Sequence, residues 1–181
     1  LSIRSAELDR HRPGADGVVG AQTVAEAPPD GYTLLVTSSS FVVNPSFHKK
    51  LPFDVVRDFE PVSNLALTEA YILGVNPGLP VRTVQELIAL ARKQPGKLTY
   101  ASSGIGGAGH LAGELFKARA GIDMVHAPYK GGGPAMTDLL GGRIEMYVGV
   151  PSTTQPHIDA GKARALATTG LKRTATLPNV P

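Results

Sequence analysis

From Leu98 onward the chain alternates short apolar runs with short helical segments, and this alternation constrains its fold more than any other feature. A strand read at 97–102 runs into a glycine loop and a helix over 110–120, with Gly121 placed to cap its C-terminus. A second strand, 124–127, leads to Tyr129-Lys130-Gly131-Gly132-Gly133 and a helix with Pro134 at its N1 position, ended by Gly141-Gly142. A strand over 143–150, a short helix over 152–160 and a strand over 163–169 complete the series. Such a βαβαβαβ order with short connections predicts a parallel sheet covered by helices, an α/β fold. Ligands in these sheets sit beyond the carboxyl ends of the strands. Three loops therefore converge on one edge: 102–109, 129–133 and 149–153.

Upstream the pattern is less regular. A turn cluster, Arg12-Pro13-Gly14-Ala15-Asp16-Gly17, precedes a small-residue helix over 18–27, and Pro28-Pro29-Asp30-Gly31 breaks it. Residues 32–37 are β-branched and apolar, the pattern of a buried strand, and run into Ser38-Ser39-Ser40. Residues 62–75 offer one or two strands ending at Asn76-Pro77-Gly78. Thr83-Val84-Gln85-Glu86 is a capping box, whose helix places Val84, Leu87, Ile88 and Ala91 on one face and stops at Pro95-Gly96.

Composition narrows the functional classes. With 18 basic and 15 acidic residues scattered along the chain and aromatics at 6%, there is no basic stripe for nucleic acid. The chain has no cysteine, which excludes disulfides, thiolate metal sites and cysteine nucleophiles. Apolar runs such as Ala70-Tyr71-Ile72-Leu73-Gly74-Val75 are far shorter than the ~20 residues of a membrane span. The opening Leu1-Ser2-Ile3-Arg4 has no signal-peptide character, and a mature or trimmed product is expected.

The most informative segment is Ser102-Ser103-Gly104-Ile105-Gly106-Gly107-Ala108-Gly109-His110. It holds a G-x-G-x-x-G after a strand and before a helix, where backbone amides and the helix dipole can cradle an anion. A dinucleotide site also needs an acid at the end of the next strand. The nearest candidate, Asp123, stands before the strand at 124–127, and no Walker lysine follows the loop. Anion cradling of another kind and a tight turn that lets helix and strand pack both remain open. The hydroxyls of Ser38, Ser39 and Ser40 can bind a carboxylate or cap a turn. The five histidines, at 11, 48, 110, 126 and 157, show neither metal-ligand spacing nor a triad pattern, so no metal and no cofactor is expected. His110, at a helix start, suits capping or ligand contact. Loops rich in amide and hydroxyl donors and poor in acids suit an anionic ligand better than acid–base chemistry.

Several stretches resemble the Bug/TctC receptors of tripartite tricarboxylate transporters. They are Asp30-Gly31-Tyr32-Thr33-Leu34-Leu35, Leu51-Pro52-Phe53-Asp54 with Asp58-Phe59, and Leu98-Thr99-Tyr100-Ala101-Ser102-Ser103-Gly104. His110-Leu111-Ala112-Gly113-Glu114-Leu115-Phe116, Ala127-Pro128-Tyr129-Lys130-Gly131, Gly161-Lys162-Ala163-Arg164-Ala165-Leu166-Ala167 and Leu177-Pro178-Asn179-Val180-Pro181 follow in the same order. The resemblance implies a two-lobed periplasmic-binding-protein fold of type II. Lobe one would be 1–75 plus 166–181 and lobe two 76–165, with crossings near Leu73 and Leu166. It implies a periplasmic receptor, not an enzyme, that captures a small carboxylate for membrane transporter subunits. Its ligand contacts map onto Ser38, Ser39, Ser40, Ser102, Ser103, Gly104, Gly107, His110 and Tyr129. The family's opening strand, with its Pro-Pro-Gly-Gly loop, has no counterpart in this sequence, and the elements that complete lobe one do not follow Pro181. Truncation at both ends, and a homodimer through the incomplete lobe one, are the expectations that follow. A non-binding remnant and a nucleotide-dependent enzyme using Gly104 to Gly109 are the alternatives.

Overall fold

The computed structural model describes residues 17–181; of the turn read at 12–17, all but Gly17 lies outside them. In chain order the elements are α1 (Val18–Ala25), α2 (Ser40–Phe47), β1 (Ile72–Val75), α3 (Val84–Lys93), β2 (Thr99–Ser102) and α4 (Ala108–Ala120). Then come β3 (Val125–Pro128), α5 (Gly132–Leu140), β4 (Met146–Gly149), α6 (Pro151–Asp159) and β5 (Arg164–Thr168).

The strands form one sheet in the order β3-β2-β4-β1-β5. β2 runs parallel to β3 and to β4, as the βα alternation requires. β1 lies antiparallel to both β4 and β5, so the expected all-parallel sheet is corrected to a mixed one. The physical reason is that α3 joins β1 to β2 but the two are not neighbours in the sheet, so no parallel pairing between them fixes the direction of β1. Its four residues are all buried, and it fills the slot that β5 would have taken beside β4.

Strand alternation divides the apolar residues between two faces. Leu73, Val75, Tyr100, Met146 and Val148 point to one side, where Leu87 and Ala91 of α3 and Ala112 and Phe116 of α4 cover them. Ala101 and Tyr147 point to the other, against Ala135, Met136 and Leu139 of α5 and Ile158 of α6. The α3 face is the one the capping box predicted. The Thr83 hydroxyl accepts from the Glu86 amide at 3.2 Å, and the Glu86 carboxylate accepts from the Thr83 amide at 3.3 Å. Gly121 closes α4 with φ 60°, the left-handed turn expected of it. Pro134 is the third residue of α5 rather than its first, with Gly131 as N-cap. The first-turn amides lack intrahelical acceptors, so proline is tolerated there too.

Two expected strands are absent. Residues 32–38 form no strand or helix and pair with no strand among the described residues, with Tyr32, Leu34 and Val36 exposed at 89%, 67% and 77%. Within 62–75 the strand is confined to Ile72–Val75, extended by Tyr71 O accepting from the Thr169 amide at 2.9 Å, and Val62, Leu65 and Leu67 face solvent. Apolar β-branched composition favours a pleated surface but does not make a strand without a ladder partner. A third cluster gathers Val18, Ala21 and Phe53, with Leu35, Phe41, Leu51 and Phe59 against it. Phe41 lies edge-on to Phe59 at 5.0 Å, and Phe59 edge-on to Phe53 at 5.5 Å. The Asp54 carboxylate holds that turn by accepting from the Val56 and Arg57 amides, and these bonds hold its carboxyl below the usual range.

Candidate functional site

Because β2, β3 and β4 are parallel, the helices that follow them all begin at one edge of the sheet. The N-caps of α4, α5 and α6 are Gly107, Gly131 and Val150, and none makes a side-chain capping bond. No first turn contains an acid. The unsatisfied amides and the positive dipole ends of three helices thus face the same region. Backbone bonds tie the loops together: the Tyr129 amide donates to Ser102 O at 3.0 Å and the Gly131 amide to Ser103 O at 3.0 Å.

The glycines of the loop divide between two tasks. Gly106 turns the chain with φ 89°, where a side chain is strained. Gly109 lets α4 approach the sheet: a Cβ there would lie 2.4 Å from the carbonyl oxygen of Val148. Gly113, one turn on, does the same over Tyr100, whose Cε2 would be 2.2 Å away. Helix–strand packing therefore accounts for the last glycine of the G-x-G-x-x-G pattern. Asp123 precedes β3, at the end opposite the loops, so the acid a dinucleotide needs is misplaced.

The structure gathers Ser102, Ser103, Gly104, Gly107, His110 and Tyr129 at this edge. Ser103 is exposed and Ser102 fully buried. The Tyr129 hydroxyl donates to Asp138 Oδ2 at 2.7 Å, and Asp138 also holds Arg143 at 2.5 Å. The Asp138 contact pushes the Tyr129 phenol above its ordinary range. Ser38, Ser39 and Ser40 lie at the opposite end of α2 from the part that meets the loop. There Ser38 and Ser40 share a 2.8 Å hydroxyl contact, while α2 approaches Gly106 through Phe47 and Asn44.

Sequence reasoning missed a network behind the loop. The Tyr100 hydroxyl donates to Glu114 Oε1 at 2.6 Å, and Lys117 Nζ donates to the same oxygen at 2.9 Å. Burial pushes the Tyr100 phenol up, and the adjoining carboxylate pushes it further. Burial alone would raise Glu114, but the Tyr100 hydroxyl and the Lys117 ammonium outweigh it and hold the carboxyl low. His126 stacks on Tyr100 with ring centroids 4.7 Å apart, and its Nε2 lies 2.7 Å from Ser102 Oγ. The available signal was the parallel pairing of β2 with β3, which sets Tyr100 opposite His126.

Burial first, then the neighbouring His110, push His126 down to about 4 from the ordinary 6.5. The unfolded chain takes up this proton near pH 6.5 while the folded chain refuses it until about pH 4. Stability from this group is complete above pH 6.5 and is lost as pH falls from 6.5 toward 4. Allowing for solvent screening at a half-buried ring, the loss should be about 1–2 kcal/mol. Urea unfolding at pH 7 and pH 4.5 checks it, with His126→Phe expected to shrink the difference.

An α/β sheet with three helix starts at one edge is a ligand-binding architecture, and the solved structures on which the chain superposes include periplasmic binding proteins. The chain superposes on a Rhodopseudomonas palustris protein, Rpa4515, solved with adipate, with TM-score 0.90 and 36% identity over 94% of this chain and 57% of that one. It superposes on MatC of the same organism, solved with bound malate, with TM-score 0.81 and 26% identity over 93% and 57%. Residues 8–181 match the family described as Tripartite tricarboxylate transporter family receptor, and the chain belongs to that family. It is 40% identical to the UPF0065 protein of the tcbD-tcbE intergenic region of Pseudomonas sp. strain P51, over 99% of this chain and 53% of the relative. It is 37% identical to BugT of Bordetella pertussis over 99% and 56%. The chain thus spans about half the length of the curated relatives it matches.

Proposed function

We propose that this chain is the ligand-capturing part of a periplasmic receptor that binds a small carboxylate and delivers it to the membrane subunits of a tripartite transporter. The observation that supports it most is the convergence of three helix N-termini, none with a side-chain cap, around the loop from Ser103 to His110. Such an edge favours negative charge through its backbone amides and helix dipoles. Relatives of this fold carry adipate and malate, both dicarboxylates. Ser103, Gly104, Gly107 and His110 are the proposed contacts, with Tyr129 beside them and Ser38 to Ser40 on the facing lobe. The lobes divide at the antiparallel pair β1 and β5, where Leu73 stands opposite Ala167.

The same geometry argues against catalysis. Ser102 and His126 are within hydrogen-bond distance, as a nucleophile and base would be, but Ser102 is fully buried and its hydroxyl proton goes to Gly104 O.

Titration calorimetry with adipate should show binding, and NAD should give no heat. Gly107→Val, at an extended N-cap with φ −67° that valine can adopt, should fold yet bind adipate more than about tenfold more weakly. Wild-type affinity in that variant, or binding of NAD, would overturn the reading.

Self-association is a second proposal, favoured by the 32–38 segment, unpaired among the described residues, and its exposed Tyr32, Leu34 and Val36. Light scattering at micromolar concentration should give the mass of a dimer; a monomer of 18.9 kDa would refute it.

A further inference from the structure

Ser102 has one hydroxyl proton, and the network assigns it. Ser102 Oγ donates to Gly104 O at 2.8 Å, so its 2.7 Å contact with His126 is accepted from an Nε2–H. His126 is thereby the neutral tautomer with its lone pair on Nδ1. His110 is oriented the other way: its Nδ1 accepts from the Gly106 amide at 3.1 Å, which leaves its proton on Nε2. The two imidazoles lie face to face, centroids 4.2 Å apart and 21° from parallel. One ring thus grips the loop at Ser102, which in turn holds Gly104, and the other grips it at Gly106.

We propose that the stacked His110–His126 pair is an acid-sensitive clasp that sets the shape of the glycine loop from Ser102 to Gly107. No relative's name or ligand bears on this, and it holds whichever anion the loop receives.

The chemistry of the clasp is asymmetric. A proton added to Nδ1 of His110 removes the lone pair that holds the Gly106 amide and sets two N–H groups against each other. A proton added to Nδ1 of His126 leaves its bond to Ser102 intact. Two protons in one stack would place like charges 4.2 Å apart, so the second proton is disfavoured. The other groups around it are few. From α4, Glu114 and Lys117 face the rings as a bonded pair. From β2, the Tyr100 ring backs His126, with its hydroxyl committed to Glu114. From α2, Phe47 sits 6.4 Å from His110 and shields that side.

The test reads the loop without any ligand. In ¹H–¹⁵N spectra of the wild type, the Gly106 amide should shift with the same midpoint as the His110 imidazole. Its hydrogen-exchange protection should fall roughly fivefold across that midpoint, the worth of one hydrogen bond. His110→Asn puts a carbonyl oxygen near the position of Nδ1 and cannot titrate, so Gly106 should stay protected and acid-independent. His110→Phe keeps a ring in the stack but has no acceptor, so Gly106 should be unprotected already at pH 7. A Gly106 amide that ignores the His110 titration, or that moves identically in His110→Asn and the wild type, would overturn the proposal.

Discussion

Gly109→Ala should unfold this chain at markedly lower urea than the wild type, with a loss of about 3 kcal/mol or more. The added methyl would lie 2.4 Å from the Val148 carbonyl oxygen, and that oxygen belongs to the backbone of β4 at the centre of the sheet. Neither partner can rotate away, so α4 must lift. Gly113→Ala meets the Tyr100 ring instead, at 2.2 Å, and a ring can tilt only by giving up its place under α4 and against His126. The alanine gains helix propensity of about 1 kcal/mol in both cases, and the clash should exceed it. Equilibrium urea denaturation followed by circular dichroism checks the pair. A variant as stable as the wild type would show that α4 does not rest on the sheet through these glycines.

Tyr100→Ala should cost about 4 kcal/mol, the range for removing a large buried aromatic side chain. Tyr100 is fully buried in the cluster shared by β2, β4, α3 and α4. Tyr100→Phe separates ring from hydroxyl: it removes the 2.6 Å bond to Glu114, which keeps Lys117 and stays partly in solvent, and a long 3.4 Å contact with His110 O. About 1 kcal/mol is expected for it, the low end for a bond to a charged acceptor. The same urea series measures both. Equal losses in the two variants would mean that the ring contributes little and that the hydroxyl–carboxylate bond organises α4.

Much of this could be read from the chain because it depends on near neighbours in sequence. The Thr83–Glu86 box, the Gly121 stop and the strand–loop–helix around Ser102 to His110 are local devices, and each formed where its residues put it. What was not legible depends on pairing at a distance. Tyr32 to Thr37 has a strand's composition but no edge to pair with among the described residues. The direction of Ile72–Val75 is set by the gap between β4 and β5, which its own residues cannot announce. At the candidate site, the glycines and Ser103 were legible as a loop between a strand and a helix. The grip of His126 on Ser102 was not, since 24 positions separate them and only the parallel register of β2 and β3 brings them together.

The insertion of β1 beside β4 has a consequence for how the chain is made. Ile72–Val75, buried on all four residues once folded, leaves the ribosome first, and its partners Met146–Gly149 and Arg164–Thr168 lie roughly seventy to a hundred residues later. At typical translation speeds of about 5–20 residues per second, an apolar strand waits several seconds with both edges open. The helices and the β2–β3 unit can form in the meantime, because their contacts are short in sequence. Docking of β1 between β4 and β5 is therefore the late, loop-closing event, and the nascent chain is most prone to mispairing before it.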